Sequence, residues 1–239
     1  GQWGSLLSAF FLGGMVFFFL PYLKQKGKGD TKNLLRPIKI TKIAATTYSL
    51  MKLTDDTLID INKTLNYYLP EIVNNTPYKN VVIREMLSHQ AGFVSWIPFY
   101  TKTLKNGSPN PVFYNKDSSA YFNLKVAKDL YITSTYQDSI FKKITSTSLR
   151  KKRYKYSDIG YYFLKAIIEK QTNQSLDEYT MQKIYKPMGL QHIGYHPLNR
   201  FDKKQIPPTV NDTIFRNQII QGDVNDQGAA MQGGVGGHA

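Results

Sequence analysis

The pattern of apolar positions changes character near residue 40. Upstream, Leu6 to Leu23 is uncharged and nearly all apolar, with a core of Phe10-Phe11-Leu12-Gly13-Gly14-Met15-Val16-Phe17-Phe18-Phe19-Leu20. At about 1.5 Å per helical residue such a run just spans the hydrocarbon of a bilayer. Lys24, Lys26 and Lys28 follow at once, which suits a cytoplasmic flank. A signal peptide fits less well, because its charges precede the apolar core. A buried core segment, or sequence read out of frame, would look the same. From Thr41 onward the texture is that of an ordinary soluble domain. Ile43, Ala44, Thr47, Leu50 and Met51 recur at helical spacing and predict a helix starting near Thr41–Lys42. Val81 to His89 predicts a short helix, ended by Gly92 in a left-handed conformation. Asp158 is placed to cap a helix whose apolar face carries Phe163, Ala166 and Ile167. Ser175 and Glu178 form a capping box for the next helix, which stops before Pro187-Met188-Gly189. Residues 106–120 are rich in Gly, Pro, Asn and Ser and read as a loop excursion. The stretch 233–238 is dense in glycine. Alternating strands are few and no repeat recurs, so the segment reads as helix-dominated.

Composition narrows the classes. A chain of 239 residues, 41% hydrophobic, suffices for one large domain or one domain plus an appendage. It has no cysteine, which excludes disulfides, a thiol nucleophile and thiolate metal sites. The formal charge is +14, from 31 Lys+Arg against 17 Asp+Glu. Such an excess suits nucleic acid, anionic lipid or anionic cell wall. Its densest patch is Arg150, Lys151, Lys152, Arg153 and Lys155, and no helix-turn-helix, zinc-finger or RNA-recognition pattern accompanies it. Nucleic acid is therefore disfavoured as a partner against a solvated lysine-rich surface. The four histidines are dispersed and no carboxylates stand at ligand spacing, so neither a metal site nor a cofactor is expected. His89 and His238 read as structural residues, and His192 and His196 as surface residues.

Four blocks, in order, carry a family resemblance. Ile40-Thr41-Lys42-Ile43-Ala44-Ala45-Thr46-Thr47 resembles the region around a Ser-x-x-Lys motif. Val82-Ile83-Arg84-Glu85-Met86-Leu87-Ser88-His89-Gln90-Ala91-Gly92 is similar to the block written I-R-x-L-L-S-H-x-S-G. Tyr156-Ser157-Asp158-Ile159-Gly160-Tyr161 resembles a Tyr-x-Asn motif, followed by a helix and then Pro187-Met188-Gly189-Leu190. Gly222-Asp223-Val224-Asn225-Asp226 through Gly234-Val235-Gly236-Gly237-His238-Ala239 looks like a glycine-rich stretch of one bacterial subfamily. Each block alone is weak; the ordered set is specific. It resembles the serine β-lactamase and penicillin-binding-protein family, in its class C-related branch.

That resemblance implies an α+β fold of the β-lactamase/transpeptidase type, with a helical lobe and a partial antiparallel sheet, incomplete at both ends. The expected division is a non-family segment over 1–39 and a partial β-lactamase-like domain over 40–239. In such enzymes a serine at a helix start attacks a carbonyl and forms an acyl-enzyme. Its hydroxyl needs a neighbouring amine to take the proton. Carried over residue by residue, Lys42 is the proton acceptor, Tyr156 the second proton relay, and Asp158 a group orienting substrate or lysine. Substrates of intact relatives are β-lactams, D-Ala-D-Ala-type peptides or esters, and the expected location is the cell envelope.

The departures concern catalysis. The serine position, three residues before Lys42, holds Lys39. Lysine cannot form the acyl ester, and a second cation beside Lys42 would depress amine pKa values. Ser49 lies seven residues past Lys42, out of the motif. Asp158 stands where asparagine is usual; ionised, it accepts but does not donate. The third motif, Lys/His-Thr/Ser-Gly, does not occur after the glycine-rich block. The expectation is a serine-hydrolase fragment inactive as written. A frameshift near Ile40 would account for the unmatched upstream residues. The alternative is a membrane-anchored, non-catalytic cell-wall binder held through Leu6–Leu23.

Overall fold

The computed structural model describes residues 43–235. Expectations concerning Leu6–Leu23, Lys39, Lys42 and His238 lie outside the described residues. A first helix is present, its expected start at Thr41–Lys42 lying outside the described residues and Met51 of its expected apolar face exposed. A π-helical turn, Ile43–Thr47, runs into α1 (Tyr48–Asp55), whose Ser49, Leu50 and Leu53 are buried. Two one-turn helices follow, α2 (Leu65–Tyr68) and α3 (Pro70–Val73), then α4 (Ile83–Leu87).

The segment predicted as a loop over 106–120 is mostly turns and bends, with two short paired stretches, Ser108–Pro109 and Tyr114–Asn115. β1 (Leu104–Lys105) and β2 (Ser108–Pro109) form a hairpin, and β3 (Tyr114–Asn115) joins β5 (Leu130–Ile132) and β4 (Leu124–Ala127) in an antiparallel sheet of order β3-β5-β4. Strands of two to four residues offer too few positions for a period of two to show in the sequence. A third antiparallel pair, β6 (Val210–Asp212) with β7 (Gln218–Ile220), comes late in the chain.

The core is organised on α6 (Ile159–Thr172), which follows α5 (Tyr136–Thr145). Ile159 through Leu164, with Ile167 and Ile168, are all buried. A helix apolar on more than one face must be covered on more than one side. The Phe163 ring meets Tyr78 at 5.9 Å, Phe93 at 6.1 Å and Phe141 at 5.6 Å. Each such aliphatic side chain, fully buried, contributes roughly 1.5–3 kcal/mol. Gly160 lets α4 approach closely, since a Cβ there would sit 3.2 Å from the Met86 Cβ. α6 stops at Asn173, in the left-handed region at φ 52°.

The predicted capping box opens α7 (Leu176–Thr180), where the Glu178 carboxylate accepts the Ser175 N–H at 3.2 Å. α7 continues as a π-helical turn, Met181–Tyr185, that ends before Pro187. The Thr180 hydroxyl bonds Ser49 at 3.2 Å and ties α7 to α1. The last described helix is α8 (Gln227–Ala230). Among the described residues no helix is long and apolar enough to cross a membrane.

Candidate active site

The chain between 88 and 95 forms one wall. α4 stops in a Schellman arrangement, with the Gln90 N–H donating to the Glu85 carbonyl at 2.7 Å and the His89 N–H to Met86 at 3.1 Å. The left-handed residue is His89, at φ 56°, and not Gly92 as the sequence suggested. Gly92 is also left-handed, at φ 79°, but for a different reason. Arg150 crosses it so closely that a Cβ would lie 2.3 Å from the Arg150 carbonyl oxygen. The Arg150 N–H donates to the Gly92 carbonyl at 2.7 Å.

The motif stretch 155–158 returns along the same wall. The Lys155 N–H donates to the His89 carbonyl at 2.9 Å, and the Asp158 N–H to Ser95 at 3.4 Å. The buried Ser157 hydroxyl donates to the Val94 carbonyl at 2.6 Å and accepts the Ile159 N–H at 3.2 Å. This corrects the capping expectation. Asp158 occupies the N-cap position of α6 but makes no side-chain capping bond; the neighbouring Ser157 hydroxyl receives a first-turn N–H instead. The Asp158 carboxylate bears on the Tyr156 phenol, by hydrogen bond and by charge.

Tyr156 is about one-third exposed, and its ring lies 4.6 Å from that of His89. Burial, first, and then the charge and hydrogen bond of Asp158 drive its pKa well above the ordinary phenol value, with Tyr161 and, least, Asp226 adding to the effect. At neutral pH the phenol is therefore a hydrogen-bond donor and not a phenolate base. The same two carboxylates act on Tyr162, whose pKa is raised mainly by burial. Two carboxylates acting on the same phenols favour a cation beside them.

Two further segments close the site. One turn into α6, the Tyr161 hydroxyl meets Thr47 at 3.1 Å, and the buried Thr46 hydroxyl donates to the Val235 carbonyl at 3.3 Å. The turn that directly follows Lys42 in sequence is thus bound to α6 and to the glycine-rich block. Asp226 opens α8, its carboxylate accepting the Ala229 N–H at 2.7 Å. Gly228 is required there, because a Cβ would stand 2.4 Å from the Tyr162 hydroxyl.

Arg216 fixes the approach to Asp226. Its guanidinium donates to Asp212 at 2.7 Å and to the carbonyls of Val224 and Asn225, both at 2.6 Å. The Asp212 carboxylate also accepts the N–H groups of Phe215 at 2.9 Å and Ile214 at 3.2 Å. Burial pushes the Asp212 pKa up, but the Phe215 N–H and the Arg216 guanidinium outweigh it and hold the group below its ordinary value.

Of the residues singled out in the sequence, the structure brings Tyr156 and Asp158 together; Lys42 is outside the described residues. His89, Tyr161, Asp226 and Thr47, which stand inside the family-like blocks but were given no site role there, join them. Ser49 is fully buried against Thr180, away from the site. His196 is a surface residue as expected, but it also pairs with Asp177 at 3.4 Å. Among the described residues no group of His, Asp and Glu could hold a metal ion. Two open concavities, of about 340 and 200 Å³, are lined by other residues, the first around Lys165 and Glu169 and the second around Asp177 and His196. Neither includes Tyr156 or Asp158, so the convergence of motif residues, not concavity, defines the candidate site.

Comparison with known proteins identifies the family. Residues 40–219 match the family model described as Beta-lactamase. The chain is 30% identical over 238 residues to the N-acetylmuramyl-L-alanine amidase of Bacillus subtilis, covering 91% of this chain and 48% of that protein. It is 30% identical over 219 residues to a Salmonella agona protein provisionally named a D-alanyl-D-alanine carboxypeptidase, covering 83% and 45% respectively. The chain thus spans about half the length of the curated relatives it matches. A solved octameric penicillin-binding protein homologue from Pyrococcus abyssi is similar at 19% identity and a TM-score of 0.45, over 68% of this chain and 33% of that one.

Proposed function

The chain belongs to the beta-lactamase family of hydrolases, and from that premise we propose that it carries the substrate site of an acyl-transferring serine hydrolase without its nucleophile. The observation behind this reading is that four segments meet around Tyr156 and Tyr161, with His89 and Asp158 on Tyr156 and Thr47 on Tyr161. The four segments are the turn after Lys42, the His89 wall, the Tyr156-Ser157-Asp158 motif and the Asp226 segment. In the proposed site Lys42 supplies the cation that the Asp158 and Asp226 carboxylates favour, and an ammonium there would lower the Tyr156 pKa again. Substrates are peptidoglycan-type peptides, the class suggested by relatives named as an alanine amidase and a D-alanyl-D-alanine carboxypeptidase. With Lys39 three residues before Lys42 no acyl ester forms, so the site binds without turning over. The location in keeping with this is the cell envelope. The apolar run Leu6–Leu23 favours a second reading, a membrane-tethered, non-catalytic binder.

The test is a fluorescent penicillin added to the purified full chain. No covalent band is expected under conditions that label an intact family member. A covalent adduct mapped to any residue of this chain would overturn the non-acylating reading.

A further inference from the structure

The residues between the two anchor points on the His89 wall form a cationic loop that opens beside the candidate site. Arg150 is held to Gly92 and Lys155 to His89 by backbone hydrogen bonds of 2.7 and 2.9 Å, so both ends of the intervening turn are fixed. Arg150, Lys151, Lys152 and Arg153 are all exposed. Lys152 is engaged with Glu85 at 2.6 Å. Among the described residues no carboxylate pairs with Arg150, Lys151 or Arg153. Tyr154 follows, 70% exposed, its ring edge-on to His89 at 6.3 Å; His89 in turn touches Tyr156. On the far side of the motif, Trp96 is 51% exposed, one residue beyond the Ser95 carbonyl that receives the Asp158 N–H.

Tyr154 directly follows the cations that no carboxylate pairs among the described residues, and Trp96 flanks the Ser95 anchor of the motif, so exposed rings and cations border the same site. They suit a polymer that is both anionic and rich in sugar rings or peptide planes. We propose that Arg150, Lys151 and Arg153, with Tyr154 and Trp96, form a docking platform for an anionic peptidoglycan strand, whose carboxylates meet the cations and whose sugars lie on the aromatic faces. This deepens the proposed function, because it rests on that reading for the position of the platform beside the substrate site. The platform acts by binding alone and involves no bond-making step.

Purified sacculi, stripped of covalently attached polymers, are the probe. Pelleting of the full chain with these sacculi should weaken steadily between low and physiological salt, as contacts between exposed charges are screened. The triple variant Arg150→Gln/Lys151→Gln/Arg153→Gln should bind about tenfold more weakly, the scale that three exposed charge contacts support together. A charge-matched control, Lys142→Gln/Lys143→Gln with Lys116→Gln, removes exposed cations elsewhere and should bind as the parent chain does. All substituted side chains are exposed, and a thermal melt confirms that each variant folds. Equal weakening in triple variant and control would overturn the proposal, since net charge alone would then account for binding. Unchanged binding of the triple variant would also overturn it. So would duplex DNA that bound more tightly than sacculi and depended on the same three residues. Penicillin labelling is a separate readout, so failure of the platform and failure of the non-acylating site are distinguishable.

Discussion

Replacing Arg216 by methionine isolates the device that holds the Asp226 segment in place. Arg216 and Asp212 have side chains 0% and 2% exposed, and their closest nitrogen and oxygen are 2.7 Å apart. At an effective dielectric of about 20 the gross attraction at that distance is about 6 kcal/mol. Desolvating both ions offsets much of it, so the pair itself contributes little net stability. Removing one partner is a different matter. Methionine fills much of the space but leaves the Asp212 charge buried, and leaves the Val224 and Asn225 carbonyls without their donors. The expected cost is about 3–5 kcal/mol, a large share of the 5–15 kcal/mol typical of a whole domain. In urea, with a slope of about 2 kcal/mol/M, the midpoint should fall by about 1.5–2.5 M. The double variant Asp212→Asn/Arg216→Met should lose less than the single one. It removes the stranded charge, while the amide oxygen still accepts from Phe215 and Ile214. The pair also has a pH signature. Asp212 titrates below its unfolded value, so its stabilisation is present above about pH 4 and is lost as pH falls through the folded value. Arg216→Met should shrink that acid-side loss. A midpoint shift under about 0.5 M at unchanged slope, or a double variant weaker than the single, would refute the account.

Two other outcomes follow from local geometry. Gly92→Ala combines a left-handed φ with a Cβ placed against the Arg150 carbonyl. It should cost about 2–4 kcal/mol, seen as a melting-temperature drop of about 5 °C or more; a drop near zero would mean that the crossing yields easily. His196→Gln probes the pair with Asp177. The Asp177 hydrogen bond raises the His196 pKa, and His196 holds Asp177 down at about 2. Stability from the raised histidine is therefore complete below about pH 6.5 and lost as pH rises through its folded value, while the aspartate side persists until strong acid. His196 is 58% and Asp177 32% exposed, so solvent screening leaves about 0.5–1 kcal/mol at stake. Denaturation at pH 6 and pH 9 should show this step in the parent and not in the variant.

What could be read from the sequence was local. The Ser175–Glu178 box and the start of α6 after Asp158 depend on residues a turn apart, and they appear where expected; the helix around α1 is present, but its buried face is Ala45, Thr46, Ser49, Leu50 and Leu53, with Met51 of the expected face 48% exposed. The helix stop at His89 was misjudged because glycine is the usual left-handed residue, and Gly92 stood three positions away with a constraint of its own. The strands from Leu104 to Ile132 were invisible, being too short to alternate. Asp226 stood inside a family-like block, but its role beside Tyr156 had no local signal. It depends on Arg216 reaching carbonyls eight and nine residues ahead, and on a Tyr162 hydroxyl that only glycine at 228 can accommodate. Tyr156 and Asp158 stand in one motif, and burial with Asp158 carries most of the upward shift of the phenol; the small further push from Asp226 comes from a segment 70 residues later.

The crossing of Arg150 over Gly92, with Lys155 tied to His89, separates two kinds of evolutionary freedom. The anchors are backbone bonds, indifferent to side-chain identity except at the glycine, so the four residues between them can change composition or gain length without disturbing the helix exit beneath. Variation among related chains should accumulate in that turn while Gly92 stays put. A lineage could in this way retarget the surface beside the site many times over on one unaltered scaffold.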